Sequence, residues 1–183
     1  MDTFEAIFSR RSVRQYKDTP VADDVLNSVL EAARWAPSWA NTQCTRYVIV
    51  KDPETKILLS NSLNKGNPAA EAIRLAPVVI VACAELGKSG YYKGNVSTDR
   101  GDWFMFDVGI AMQNLALAAC AMGLGTVHAG YIPDSQKVDA ILDLPEGVVS
   151  VEMMPLGYPA GETKGPPRRE MSELVFYEKY GRH

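Results

Sequence analysis

A long helix that is apolar on most of its sides is the feature that most constrains how this chain can fold. The sequence predicts this helix over residues 102–122. Its apolar positions include Val108, Ile110, Ala111, Leu115, Ala118 and Ala119. Such a helix has little polar surface to offer to water, so we expect it in the centre of the core or in a subunit interface. Gly123 suits the left-handed cap that ends a helix.

Helix and strand signals are spread along the rest of the chain. The apolar run 78–83 is typical of a strand buried on both faces. Further strands are predicted at 47–50, 126–129 and 148–156, and further helices through Phe4, Ile7 and Phe8, at 22–36, from Pro53 and at 135–142. Residues 85–101 predict an exposed loop. We therefore expect one domain, 1–183, in which 157–183 form an extended C-terminal tail.

Composition excludes several functional classes. A net charge of −3 argues against a nucleic-acid partner, because such proteins need an extended basic face. No apolar run is expected to reach the roughly 18–20 residues of a membrane span. The three cysteines are widely spaced, which predicts neither a disulfide framework nor a metal site. With no signal-peptide pattern at the N-terminus, we expect a cytoplasmic protein.

Two basic clusters lie far apart in the sequence. Arg10, Arg11 and Arg14 occur together with two hydroxyl residues in the segment 9–14, and Arg168-Arg169 follow two prolines near the C-terminus. Arginine is favoured where a planar group with several donors must bind an oxyanion such as phosphate. The clusters could converge on one phosphorylated ligand, or both could be solvated surface charge.

A polar loop is predicted directly after the helix 22–36. The segment 37–43 (PSWANTQ) concentrates hydroxyl and amide groups, which donate and accept hydrogen bonds without carrying charge. This suits recognition of the edge of a heteroaromatic ring. The alternative is a loop whose side chains satisfy their own backbone.

Other familiar site patterns fail on inspection. Gly87-Lys88-Ser89 lacks the earlier glycine of a phosphate-binding loop, and Gly123-Leu124-Gly125 lies after a helix, where a dinucleotide fingerprint would lie before one. We find no nucleophile triad and no metal-ligand cluster. An enzyme with so little acid–base machinery would need a cofactor to carry its chemistry.

An ordered set of short motifs extends over nearly the whole chain. They are Arg10-Arg11-Ser12-Val13-Arg14, the segment 31–38 (EAARWAPS) continuing to Asn41 and Gln43, 107–115 (DVGIAMQNL), 122–126 (MGLGT), 156–159 (LGYP) and 167–169 (PRR). Each motif is modest by itself. The ordered set resembles the nitroreductase family of FMN-dependent oxidoreductases.

The resemblance implies an α+β fold with a mixed, mainly antiparallel central sheet flanked by helices. It also implies an intertwined homodimer with FMN sites shared between subunits. The cofactor-binding residues that it implies are Arg10, Arg11, Ser12, Arg14, Pro37, Ser38, Asn41, Gln43, His128, Ala129, Gly130, Arg168 and Arg169. Within this set Arg10, Ser12 and Arg168 or Arg169 would hold the phosphate. Arg14 would lie by the pyrimidine side of the ring, and Pro37, Ser38 and Asn41 would come from the opposite subunit. The backbone amides of Ala129 and Gly130 would face flavin N5 and O4. His128 either borders the ring or is a core histidine.

By the same resemblance, NADH or NADPH reduces electron-poor acceptors such as nitroaromatics, quinones or enones by a ping-pong mechanism. Flavin N5 would carry the hydride, and no side chain would be catalytic. Alternatives are a specialised relative that cleaves flavin, removes halogen or oxidises azolines, and a non-catalytic protein that binds or stores FMN.

The chain departs from the family pattern at two places that bear on the pocket. It is short for the family, so Trp39, Tyr91, Tyr92 and Trp103 are expected to line the substrate pocket. Before the buried strand it has Ala69-Ala70-Glu71-Ala72 in place of the polar and basic residues of many members. Cys44 lies near the flavin or is a buried inert thiol.

Overall fold

The computed structural model describes residues 1–130 and 132–183 and contains a four-stranded antiparallel sheet. The strands are β1 (Thr45–Val50), β2 (Val78–Glu85), β3 (Tyr91–Tyr92), β4 (Asn95–Val96), β5 (Gly125–Thr126) and β6 (Val148–Gly157). The sheet has the order β1-β2-β6-β5, and β3 and β4 form a separate hairpin. The α+β class and the mainly antiparallel sheet are thus as predicted.

Seven α-helices accompany these strands in the described part of the chain. They are α1 (Thr3–Ser9), α2 (Asp23–Arg34), α3 (Pro53–Ser60), α4 (Ala69–Leu75), α5 (Phe104–Ala121), α6 (Ser135–Ile141) and α7 (Met171–Leu174). Local chemistry explains several of their ends. Asp2 and Glu5 form a capping box on α1, Asp52 caps α3 ahead of Pro53, and Gly123 ends α5 at φ +79°.

The sheet has a hydrophobic core on each face. α2 and α5 cover one face through residues such as Val29, Met112 and Leu115. On the other face, α3, α4 and α6 contribute Leu59, Ile73 and Val138. Residues 78–84 of β2 are buried throughout, so the prediction of a strand covered on both faces is confirmed.

Helix α5 was expected either in the centre of the core or in a subunit interface. In the structure it packs in the core, although one of its faces stays exposed. Its 18 residues are long and apolar enough to span a membrane by length and composition alone, contrary to our expectation that no segment would be. In the structure it packs on α2 and the sheet and buries the carboxylate of Asp107. Met105 and Phe106 lie on the exposed face.

The segment that carries the arginines lies beside β5 and the start of the C-terminal tail. The Val13 amide donates to the Thr126 carbonyl at 2.9 Å, and Ser12 and Thr126 form a parallel bridge. Further along, the backbone amide of Lys17 donates to the backbone carbonyl of Tyr158 at 2.8 Å. The backbone amide of Ala160 donates to the backbone carbonyl of Gln15 at 3.0 Å. These bonds bring residues from both ends of the chain to one edge of the sheet.

Three local predictions were wrong or incomplete. Residues 85–101 are not simply an exposed loop, because they contain the β3–β4 hairpin and bury Ser89 and Gly90 against Trp103. The predicted strand 126–129 is interrupted, and Ala129 pairs alone with Met153. α4 was not predicted, since it is short and Pro68 at its N-terminus supplies no side-chain cap.

Candidate cofactor site

A cavity of about 240 Å³ opens between the end of α1, the end of α5 and the C-terminal tail. Its lining includes Ser9, Arg10, Arg11, Cys120, Thr126 and Thr163. Arg10 is half-buried, and no residue in the described part of the chain forms a hydrogen bond or ion pair with its guanidinium. A partly desolvated cation without a counter-ion is a binding group for an anion.

Arg11 has a different role from Arg10. Its Nη1 donates to the carbonyls of Phe8 at 2.6 Å and Arg10 at 2.8 Å. Its side chain also crosses Gly165, where an added Cβ would lie 2.8 Å from the Arg11 Cδ. Arg11 therefore joins the arginine segment to the tail, while the guanidinium donors of Arg10 have no partner among the described residues.

A second cavity of about 310 Å³ adjoins the first. Ser12, Arg14 and Lys164 line it, and Gly161 and Thr163 line both cavities. The two cavities together present four cationic side chains and several hydroxyls, with Glu162 as an acidic neighbour. This donor set suits a phosphate, which carries about −1.5 to −2 charges. Sequence reasoning missed Thr163 and Lys164, and their nearness to the predicted Arg168 was the only signal available.

Arg168 and Arg169 lie outside both cavities in a single chain. Arg168 donates to the Pro166 carbonyl at 3.3 Å, and Arg169 lies 4.0 Å from Glu173. Both are exposed. From the tail it is Lys164 that reaches the cavity of Ser12 and Arg14, so phosphate contact by Arg168 or Arg169 stays a prediction.

The polar loop after α2 is held in an unusual conformation. Ala40, Asn41 and Gln43 have φ values of 45°, 57° and 50°, in the left-handed region that non-glycine residues rarely adopt. Ser38 Oγ accepts a hydrogen bond from the backbone amide of Gln43 at 2.9 Å across the loop. Strained backbone of this kind often occurs at ligand sites.

A buried carboxylate that sequence reasoning did not single out anchors this loop. Asp107 on α5 is 1% exposed, and its Oδ1 accepts from the Trp39 amide at 2.9 Å. Its Oδ2 accepts from the Cys44 thiol at 3.5 Å. Burial, followed by the charge of Asp107, raises the pKa of Cys44 to about 11. Cys44 is thus a neutral, buried thiol near pH 7.

The loop lines a cavity of its own. It measures about 160 Å³ and is lined by residues including Arg34, Pro37, Ser38, Gln43, Tyr47 and Asp107. Burial raises the pKa of Tyr47 to about 12, so this phenol also stays neutral near pH 7. Within one chain, Pro37, Ser38 and Gln43 therefore line a different cavity from Arg10 and Arg14.

The segment 128–130 contains three of the predicted cofactor contacts: the side chain of His128 and the backbone amides of Ala129 and Gly130. His128 is not a core histidine: its side chain is 35% exposed, and its Nδ1 lies 2.9 Å from Oε2 of the buried Glu152. The Ala129 amide is already bonded to the Met153 carbonyl at 3.0 Å. Gly130 is exposed, so its amide is the better placed of the two predicted donors.

The four aromatic residues that were predicted to line the substrate pocket differ in their surroundings. Trp103 is part of the hairpin scaffold, since its Nε1 donates to Thr98 Oγ1 at 2.9 Å and its ring meets Phe106 edge-on at 5.5 Å. Tyr92 is exposed at the hairpin, next to Lys93. Trp39 is half-buried in the polar loop, and Tyr91 is half-buried in β3.

The chain matches known proteins along most of its length. The sequence model of the Nitroreductase family matches residues 7–72 and 56–158. An NADH dehydrogenase of Thermus thermophilus is 30% identical, with 97% of this chain and 96% of the relative covered. An FMN reductase [NAD(P)H] of Bacillus subtilis is 29% identical, with 98% and 74% covered.

A solved structure agrees with these sequence matches. The NADPH:FMN oxidoreductase of Vibrio harveyi, complexed with NAD+, superposes with a TM-score of 0.84 at 29% identity. The match covers 97% of this chain and 77% of the Vibrio chain.

Proposed function

The chain belongs to the nitroreductase family, and from that premise we propose that it reduces electron-poor acceptors, such as nitroaromatics, quinones or enones, by a ping-pong mechanism. It is an FMN-dependent NAD(P)H oxidoreductase, as relatives named FMN reductase and NADPH-flavin oxidoreductase indicate. When bound, FMN would supply the hydride chemistry that links a reduced nicotinamide to the acceptor.

The donors around the first two cavities fit the phosphate of FMN. The observation that carries the proposal is the guanidinium of Arg10, which is half-buried beside the tail with no counter-ion in the described residues. Ser12 and Lys164 add a hydroxyl and a second cation from the adjoining cavity. Each charge-assisted hydrogen bond in such a site contributes about 1.5–3 kcal/mol.

Arg14 and the polar loop would recognise the ring. Arg14 lines the second cavity, and its only hydrogen bond in the described chain is a 3.2 Å contact with the Ser12 carbonyl. Its fixed charge favours an electron-rich ring. Ser38 and Asn41 offer uncharged donors and acceptors for the ring edge.

A single binding space beside the flavin would support a ping-pong order, because donor and acceptor could not occupy it together. The nicotinamide donor would leave before the acceptor enters the same space, and orientation over the ring would supply most of the rate acceleration. The exposed Tyr92 and half-buried Tyr91 of the hairpin would set which acceptors fit.

We further propose a homodimer with shared sites. Large apolar side chains are exposed on α1, on α5 and in the tail: Phe4, Phe8, Met105, Phe106, Met171, Leu174 and Tyr177. A groove of about 460 Å³ runs along the exposed face of α5. Exposed apolar surface of this extent is typical of an interface, and a second copy would bring its polar loop to the arginine cavities.

The three cysteines are free thiols, in keeping with the cytoplasm.

Anaerobic stopped-flow spectroscopy tests the proposal. The purified protein should be yellow, should bleach rapidly on mixing with NADH or NADPH, and should regain its colour on addition of a quinone. A specialised relative or an FMN-storage protein would be yellow as well, but would bleach slowly or fail to recover with the quinone. A colourless protein that takes up no FMN would exclude the proposed oxidoreductase, the specialised relative and the storage protein alike.

A further inference from the structure

We propose that Asp107 is a positioning residue of the oxidoreductase, because its carboxylate holds the polar loop 38–44 in the conformation that presents Ser38 and Asn41 to the flavin. The inference rests on the proposed function for the identity of the ligand. The contact between Asp107 and the loop consists of two hydrogen bonds that the carboxylate accepts, one from the Trp39 amide and one from the Cys44 thiol.

The two bonds enclose the strained part of the loop. Trp39 and Cys44 lie on either side of Ala40, Asn41 and Gln43, the three residues with left-handed backbone. A left-handed conformation is strained for an ordinary residue, because it brings the Cβ close to the backbone. A loop that stores this strain needs an anchor at both ends, and the carboxylate of Asp107 supplies both from one side chain.

Among the described residues, Asp107 has no cationic partner that would explain its burial. The nearby cations of the same cavity, Arg34 and Arg46, are paired with Glu31 and Glu85. Cys44 and Tyr47 are neutral near pH 7 because burial raises the pKa of each. A carboxylate buried to this degree needs hydrogen-bond donors, and among the residues described its donors come from the loop.

Three variants separate positioning from general stability. Asp107→Ala removes both acceptors, and Asp107→Asn keeps an oxygen for the Trp39 amide while removing the charge. Asp139→Ala is the matched control. Asp139 also accepts a backbone hydrogen bond, from the Ser150 amide at 2.8 Å, but it lies on α6, on the opposite face of the sheet from α5. The measurements are FMN affinity, from fluorescence titration of the apoprotein, and hydrogen exchange of peptides covering residues 37–44.

Asp107→Ala should raise the Kd for FMN about tenfold or more, and should speed exchange of the loop by a similar factor. Asp107→Asn should stay within about threefold of the parent in both measurements. Asp139→Ala should lower the unfolding temperature and leave both unchanged. Parental FMN affinity and parental loop exchange in Asp107→Ala would overturn the inference, as would an equal loss in Asp139→Ala.

Two further comparisons cover the remaining outcomes. If Asp107→Ala does not fold, Trp39→Pro removes the donor amide and Trp39→Ala keeps it, so only the proline variant should loosen the loop and weaken FMN binding. Equal behaviour of the two would overturn the inference. If the parent protein binds no FMN, the proposed function fails, whereas the exchange data still decide whether Asp107 holds the loop.

Discussion

Val13 lies so close to Gly125 that a Cβ added to the glycine would be 2.6 Å from Cγ2 of the valine. The same glycine begins β5, whose next residue, Thr126, accepts the Val13 amide. The absence of a side chain at residue 125 is therefore what lets the arginine segment lie against the sheet edge.

Gly125→Ala should destabilise the protein by about 1–3 kcal/mol, because Val13 is buried and its branched side chain cannot turn away. It should also weaken FMN binding, since Ser12 and Arg14 flank the displaced valine. Urea unfolding and FMN titration measure the two effects. The double variant Gly125→Ala/Val13→Ala should recover part of both losses; strictly additive losses would show that the two residues do not interact.

Arg10→Ala should raise the Kd for FMN by about one to two orders of magnitude, the loss expected for a charge-assisted contact of 1.5–3 kcal/mol. The fold should remain stable, because Arg10 has no side-chain bond to lose within the described chain. Arg74→Ala, which breaks an exposed pair with Glu71, is the matched control. Unchanged flavin affinity in Arg10→Ala would remove this residue from the phosphate site.

Met105→Glu should convert a dimer into a monomer of about the 20.1 kDa chain mass. A carboxylate on the exposed face of α5 would be desolvated in the proposed interface. Leu58→Glu places the same charge on an exposed residue of α3, on the opposite side of the sheet, and should leave the dimer intact. Light scattering checks both. A parent protein of monomeric mass would contradict the shared-site arrangement.

Stability should fall as the pH rises from about 9 to about 11. Burial, reinforced by Asp107, raises the pKa of Cys44 to about 11, and burial raises that of Cys83 to about 12. In the unfolded chain these thiols lose their protons near pH 9, while the folded state still keeps them, so deprotonation favours unfolding across this window. Below pH 9 the contribution of the buried thiols is complete.

The measurement is the free energy of unfolding between pH 8 and pH 11. Cys44→Ala should flatten the decline by removing one group from the linkage. A parental slope in Cys44→Ala would argue against the burial effect at this residue.

Regular elements were predictable because their signals are local. The apolar pattern located α5, and the glycine after it marked the end within one or two residues. The run of β-branched residues identified β2 and its burial. α4 was not predicted because it has only seven residues and its N-cap position is a proline, and the β3–β4 hairpin was not predicted because its strands have two residues each.

Much of the site could not be predicted from spacing, since it depends on contacts distant in sequence. Asp107 lies in an apolar helix where a polar residue suggests solvent, yet it is buried under a loop 68 residues away. Lys164 enters the cavity of Arg14 because the tail runs alongside residues 12–17. The pairing of His128 with Glu152 likewise depends on the approach of β6, which no local pattern encodes.

The bonding of residues 12–17 to residues 158–160 has a consequence for synthesis. A nascent chain that has emerged only as far as α5 already carries its arginines, but the edge on which they settle is still inside the ribosome. Binding of FMN at the proposed site would then have to wait until residues 158–160 have been synthesised and can complete this edge.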